Sequence, residues 1–536
     1  MMRLVLKNVL PKAKLIRFYG NGLKEGGTMK KRTIILSLFI SSLLVLIGIL
    51  IGCSGNKTTQ YTANPYLVNS AWPIIHQSSY QNASSPFMGP SGSTDSPPSS
   101  EFIKSPVQGT GPVIFGSDNS VLFEKVAILN QLHIFSKLDP VTLNTITSYT
   151  VNVSASDPMN GLYSFVDYQN CWWNAYNQTF LRLCFKGSNI VPDMTINLAS
   201  LFPTEITSDD TIVSMNPLYT SPGLIDIAFV TEGLAPVHQN GYFTQTIIGA
   251  KVGVMRINND RSVELFIRDF PDEDITNSFA VTPDGGIYVV TDKHAIKLML
   301  QQTCGCGSEA LNVIWEVPYD TGLPIQPIPC SDTTPDWECR INVILNGGRL
   351  SPDGSGTTPT LMEQGEYMVF ADGELPMKLV ALRTTDGSFI PIDKPVPFTE
   401  TTAQTENICA SYGNKFIIEN NYSPGVAGYE IVGPSGQEQV KQMWVNYNVF
   451  APNAVPLIAG ASNTVYVYEM QGPSFYPLTT TTQQWFVTAM DLNTGNILWR
   501  KFIGEGISYN SIYAPLSLDD KMHIYIGLFG GLLRVD

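Results

Sequence analysis

Charge is scarce in this chain: Asp, Glu, Lys and Arg together make up 15% of 536 residues, with 46 acids against 32 bases. The bases are also unevenly placed. Of the formal −14, residues 1–52 contribute +8 (nine Lys/Arg and the single acid Glu25), which leaves −22 on the remainder. An acidic surface repels phosphate backbones and argues against nucleic-acid binding, while solubility explains the same charge without an acidic recognition face. Histidine is rarer still. His76, His133, His238, His294 and His523 are the full set, and none sits in a nucleophile elbow or a His-rich stretch. A hydrolase or transferase needs a nucleophile with its base, or paired carboxylates, and no such constellation is visible. Glycine pairs such as Gly530-Gly531 lack the Lys-Ser/Thr of a phosphate cradle, which removes support for nucleotide binding. Long apolar helical periods are missing beyond the N-terminal segment.

What the chain has instead is Gly (44), Pro (36) and aromatics (10%), a composition of short strands and many turns. The last fifty residues show the unit. Trp485–Met490 reads as a strand, Asp491-Leu492-Asn493-Thr494-Gly495 as a tight turn, and Asn496–Arg500 as the return strand. His523–Gly527 and Leu532–Val535 follow, separated by Gly530-Gly531. Copies recur upstream. Ala280–Asp292 matches the Y-I-G-x-x-G-G pair, Val313-Ile314-Trp315-Glu316-Val317 matches I-L-W-R, and Tyr367–Asp372 with Leu379–Gly387 give a third.

The wording A-M-D-L-N-T-G-N-I-L-W followed by I-Y-I-G-L-F-G-G-L-L-R-V-D resembles the PQQ-like (quinoprotein-like) β-propeller repeat. Segments at Gly354–Met362, Glu406–Cys409, Glu419–Asn421, Trp444–Asn446 and Ala451–Pro456 narrow the resemblance to an uncharacterised secreted and lipoprotein subgroup. The resemblance implies an all-β propeller of seven or eight four-stranded antiparallel blades over residues 106–536, with an N-terminal strand closing the ring. Blades of roughly 53 to 61 residues exceed the ~40–50 of compact propellers, and the excess is expected in insertions such as Gln301–Gly347 and Val432–Pro456. Ser70–Ser78 resembles the opening segment that packs against such a body, and His76 within it reads as a structural histidine rather than a ligand.

At the N-terminus, Lys30-Lys31-Arg32 precedes an apolar run from Thr33 to Gly52 that ends at Cys53. Basic segment, apolar core and small residue make a secretory signal over residues 29–52, and Leu50-Ile51-Gly52-Cys53 resembles the bacterial lipobox, in which the Cys thiol carries diacylglycerol. An uncleaved transmembrane helix is the competing reading, and Cys followed by polar Ser54-Gly55-Asn56-Lys57 favours lipidation. Residues 1–28 read as a start-site artefact ahead of Met29, because Lys24-Glu25-Gly26-Gly27 is what an in-frame ribosome-binding site would encode. Residues 53–105, rich in Ser, Pro, Gly, Asn and Thr, read as a flexible tether apart from the opening segment.

In an exported chain disulfides are the default. Cys171 with Cys184 and Cys330 with Cys339 are the first expected pairs; Cys304 and Cys306 bridge each other or pair outward with Cys409, and an odd count leaves one thiol free. A zinc site in the Cys304–Cys339 insertion is disfavoured, because C-x-C and C-x8-C have no nearby His. The quinoprotein resemblance also implies an axial PQQ with Ca²⁺. Asp372, Glu406, Asn407, Asn420 and Asn421 have suitable oxygens for the metal or an axial ligand, yet the adjacent cysteines of those dehydrogenases are missing. Asp272-Glu273-Asp274 reads as a solvated turn rather than a Ca²⁺ loop. The residues favour a lipid-anchored, extracytoplasmic propeller that binds a protein or small ligand, like the lipoprotein propeller of the outer-membrane assembly machinery. A propeller oxidoreductase is the alternative. Cys53→Ala is expected to move the protein from the detergent to the aqueous phase on Triton X-114 partition; an unchanged partition would remove the lipid anchor.

Overall fold

The computed structural model of the chain describes residues 62–127, 131–153, 162–219, 224–302, 309–322, 327–336, 338–339, 354–398, 403–472 and 482–536. The signal segment, Cys53, Cys304 and Cys306 lie outside them. Residues 59–536 form one unit. Its strands assemble into eight successive small sheets, the blades of a propeller, plus one subsidiary sheet.

Blade 1 is Val113–Phe115, Val121–Ala127, Leu132–Leu138 and Thr145–Asn152, and blade 2 runs from Phe165–Val166 through Cys171–Tyr176 and Thr179–Lys186 to Asn189–Asn197. Blade 3 uses Ile212–Pro217, Ile225–Thr231, Ala250–Ile257 and Val263–Phe270; blade 4 uses Ala280–Val281, Gly286–Val290, His294–Gln302 and Glu309–Pro318. Blade 6 is Ser411–Tyr412, Lys415–Glu419, Val426–Val432 and Gln439–Asn446, and blade 7 is Leu457–Ala459, Thr464–Gln471, Gln484–Asp491 and Ile497–Glu505. Blade 8 takes three strands from the C-terminus (Ser517–Leu518, Ile524–Leu528, Gly531–Val535). Its fourth, Ser100–Lys104, pairs antiparallel with the last, Phe102 opposite Leu533. The expected N-terminal closure is therefore present.

Blade 5 departs from the four-stranded expectation. Among the described residues it has three strands, Thr360–Met362, Tyr367–Ala371 and Leu379–Arg383, and a single bridge, Leu382 to Phe389, where a fourth would start. Where a fourth strand would follow, Pro391, Pro395 and Pro397 remove ladder donors, and Ile392 bridges Val440 of blade 6 instead. The expected insertion at Val432–Pro456 is also corrected, because it contains the outermost strand of blade 6. Extra length sits instead in blade 3, where the hairpin Leu234–Gln239/Tyr242–Ile247 pairs with Ile328–Pro329 as the subsidiary sheet.

The turn read from Asp491–Gly495 forms as its residues dictate. Asp491 Oδ1 accepts from the Asn493 and Thr494 amides (3.0 and 2.8 Å) and from the Thr494 hydroxyl (2.9 Å), while Gly495 sits at φ +69°. Asp139 makes the same three bonds to Val141 and Thr142 in blade 1, with Leu143 at φ +55° in the glycine position. These turns also receive the preceding blade. Trp444, on the outermost strand of blade 6, donates Nε1–H to Leu492 O at 2.8 Å, its ring so close to Gly495 that a Cβ there would overlap it. Trp315 of blade 4 repeats this on blade 5, donating to Thr384 O at 2.9 Å beside Gly387 (φ +72°). Trp499, on the return strand read from Asn496–Arg500, is 1% exposed and packs on Tyr466 within the core that joins blades 7, 8, 1 and 2.

The composition-based tether reading stops short of residue 62. Residues 64–85 are mostly packed, with Trp72, Tyr80, Gln81, Asn82, Ala83 and Ser85 fully buried, whereas 86–88 and 91–96 are exposed. The packed stretch forms a strap across the inner edges of the blades. The Phe115 amide of blade 1 donates to Trp72 O, and that of Val166 in blade 2 to Pro73 O. The amides of Val281, Leu361, Ser411 and Ile458 donate in turn to the carbonyls of Ser79, Tyr80, Asn82 and Ala83, thereby serving blades 4, 5, 6 and 7. Asn216 of blade 3 donates its side-chain amide to Ser79 O at 3.1 Å. Small and polar residues suit the narrow axis, which is why the composition mimics a linker. Following the ring puts His76, Gln77, Gln81 and Ala83 at positive φ, each of which has a conformational cost.

Among the described residues two disulfides form, Cys171–Cys184 across blade 2 and Cys330–Cys339 in the segment beside the subsidiary sheet. They suit an oxidising, extracytoplasmic setting. Cys409 is not a disulfide partner: its thiol is free and fully buried among Ala403, Phe416 and Ile418, and burial pushes its pKa up to about 12. Trp444→Ala should remove a buried ring and its inter-blade bond together and cost about 3–5 kcal/mol, read by denaturant unfolding followed at constant m-value. A loss under about 1 kcal/mol would show that the docking is incidental.

Candidate functional site

The segments that lead into the inner strands converge on one cavity of about 150 Å³. The strap contributes Ile75 and His76; Gly111 and Pro112 precede blade 1, Leu162 and Tyr163 blade 2, Thr276 and Asn277 blade 4, and Thr358 blade 5. Glu406, Asn407 and Ile408 precede blade 6, Val455 blade 7, and Ile512 to Pro515 blade 8, while blade 3 offers Val213 and Glu232. Every blade thus reaches the same space, as ring geometry requires of an axial site.

Two of the sequence candidates are here. Glu406 Oε2 accepts the Tyr513 hydroxyl at 2.8 Å. Asn407 donates Nδ2–H to Glu419 Oε1 and to Ala454 O, and its own Oδ1 has no hydrogen-bond partner within the protein. Asn420 and Asn421 stand behind them and shape the loop. Asn421 Oδ1 accepts from the Glu406 amide (2.8 Å) and the Thr405 hydroxyl (3.1 Å), and Asn420 Oδ1 accepts from the Gln404 and Tyr422 amides. Both asparagines are buried but do not line the cavity. Asp372 is elsewhere. It accepts the Glu374 and Lys378 amides in a turn of blade 5 that borders a different surface pocket, and burial raises its carboxyl to about 7.

His76 is 3% exposed and lines the cavity with Nδ1 2.8 Å from Gln81 Oε1; burial lowers its pKa to about 4, which leaves a neutral ring at physiological pH. Tyr163 donates to Asn277 Oδ1 at 2.9 Å, with burial pushing its hydroxyl up to about 12. Tyr163, Asn277, Thr358, Glu232 and Tyr513 carried no signal in the sequence, since single polar residues ahead of short strands look like ordinary turn chemistry.

Two carboxyls back the cavity wall from the second strands of blades 1 and 6. Glu419, fully buried against Asn407 and Asn421, is raised well above the usual carboxylate range by desolvation. Glu124 is pushed up to about 8 by burial, partly offset by Ser164 and by the Asn174 amide at 2.9 Å; its own amide bonds Pro112 O in the cavity lining. His133 Nδ1 lies 3.6 Å from Glu124 Oε1.

The implied quinone does not fit this lining. PQQ carries three carboxylates, yet among the described lining residues there are two carboxylates (Glu232 and Glu406) and no Lys or Arg to neutralise it. The volume is also well below the roughly 300–1,000 Å³ of sites for drug-sized ligands.

No protein-family model matches the chain. An uncharacterised protein of Archaeoglobus fulgidus is 23% identical, covering 88% of each chain. Among solved structures, the quinohemoprotein alcohol dehydrogenase of Comamonas testosteroni superposes with a TM-score of 0.50 at 11% identity, over 89% of this chain and 80% of that one. BamB of Moraxella catarrhalis gives 0.44 at 11% identity, over 82% and 96%.

Because Glu124 holds its proton more tightly folded than unfolded, the folded state is penalised increasingly as pH rises from about 4.5 to about 8, and evenly above that. Glu124→Gln should therefore match the parent near pH 4 and exceed it near pH 8 by on the order of a few kcal/mol, read by chemical denaturation across pH. A pH-independent difference would contradict the buried neutral carboxyl. The chain is an eight-bladed β-propeller with the fold of the PQQ-like proteins.

Proposed function

We propose that this protein is an extracytoplasmic binding propeller, tethered through a lipid on Cys53, whose axial cavity takes a small neutral or cationic molecule. The carrying observation is the lining itself. Apolar walls (Ile75, Leu162, Val213, Ile408, Val455, Ile512) surround the carboxylates of Glu232 and Glu406, with no cationic side chain among the described lining residues. Such a wall repels anions and rewards a ligand that donates hydrogen bonds or carries positive charge. The neutral His76 and the hydroxyls of Tyr163 and Tyr513 supply orientation rather than charge.

The test is thermal unfolding and calorimetry with small amines and quaternary ammonium ions (ethanolamine, choline), small polyols, and PQQ with Ca²⁺. A compound of the first two groups is expected to raise the melting temperature saturably, and Glu406→Gln to weaken an amine at least tenfold. Saturable binding of PQQ with Ca²⁺, or no shift from any amine or polyol, would overturn the reading.

A further inference from the structure

Blade 4 carries a second cluster of ligating groups, separate from the axial cavity. Glu273 lies on the connection from blade 3, His294 opens the third strand of blade 4, and Glu316 lies on the fourth. His294 pairs with Pro318, so Glu316, two residues earlier, falls on the same face of the sheet. Both carboxylates converge on one imidazole nitrogen: Nδ1 is 3.0 and 3.1 Å from the two oxygens of Glu273 and 3.4 Å from Glu316 Oε1. All three residues offer donor atoms within 4.8 Å of one another.

A single N–H satisfies one carboxylate at a time, which leaves the half-buried Glu273 and the exposed Glu316 sharing one donor across a like-charge contact. A metal in place of that proton satisfies both. With Zn–N and Zn–O bonds of about 2.0–2.2 Å at tetrahedral angles, ligand atoms stand roughly 3.3 Å apart, and the nitrogen–oxygen spacings of 3.0, 3.1 and 3.4 Å lie within a few tenths of an ångström of that. Thr291 braces the set from outside. Its hydroxyl donates to Glu273 Oε2 and accepts the His294 amide at 2.8 Å, and its own amide bonds His294 O. The Lys293 ammonium is held on the Asp272 carbonyl.

We infer that Glu273, His294 and Glu316 form a binding site for a divalent transition cation, Zn²⁺ in particular, with a fourth position left for water or a further ligand. Imidazole nitrogen selects this class over Ca²⁺ and Mg²⁺, which prefer all-oxygen shells. The metal would pin the connection between blades 3 and 4 just ahead of Thr276 and Asn277 in the axial cavity.

Purified protein stripped with EDTA is titrated with Zn²⁺ at pH 7.5 by calorimetry, with Co²⁺ absorption as a spectroscopic readout. One equivalent is expected to bind and raise the melting temperature, with a Co²⁺ spectrum of low coordination number. Glu316→Gln, on the exposed side of the cluster, should fold normally and weaken Zn²⁺ at least tenfold, and His294→Ala should abolish binding. No saturable binding, or binding that survives both substitutions, would overturn the site and leave a histidine ion pair.

Discussion

A propeller has to close, and in this chain closure is carried by hydrogen bonds that cross between blades. Trp444 on the outer strand of blade 6 donates to Leu492 O on the turn of blade 7, and Trp315 of blade 4 donates to Thr384 O of blade 5. Burying an indole without a partner for its N–H costs free energy, so each such pair sets both spacing and angle between neighbours. The glycine at positive φ in the turn is what lets the ring approach. The closing strand Ser100–Lys104 and the strap then turn a row of blades into a ring. Only in a closed ring do loops from eight distant stretches face one another, and the axial cavity is a consequence.

The strap links stability to function. Its carbonyls satisfy inner-strand amides that would otherwise be buried without partners, one blade after another. It bears positive φ at four non-glycine residues to do so, a cost that the surrounding bonds offset. The same segment contributes Ile75 and His76 to the cavity. The buried carboxyls follow a related logic: Glu124 and Glu419 stay protonated because desolvation outweighs the hydrogen bonds that favour their charge. The wall they back is therefore less negative than a count of acids suggests.

The repeat unit was legible because its signals are local. Asp491, Thr494 and Gly495 specify a turn through bonds within five residues, and alternating apolar residues on either side specify strands. The prolines that deprive blade 5 of a fourth strand were equally visible as residues, but their effect depends on which ladder they would have joined. Glu406 and Asn407 were identifiable as candidates from their resemblance to a family segment and do line the cavity, whereas Asp372, picked on the same chemistry, serves a turn. Oxygen chemistry alone does not distinguish a ligand from a turn cap; the direction of the chain at that point does.

By itself the sequence determined the all-β repeat, the turn chemistry, the acidic balance and the cysteine pairs that lie close along the chain, since each depends on neighbours a few residues apart. The tertiary structure alone decided the blade count, the strap, the composition of the cavity wall and the meeting of Glu273, His294 and Glu316. Those features join residues tens to hundreds of positions apart, whose contact depends on ring closure and register, and composition cannot tell a polar linker from a polar segment that fits a narrow axis.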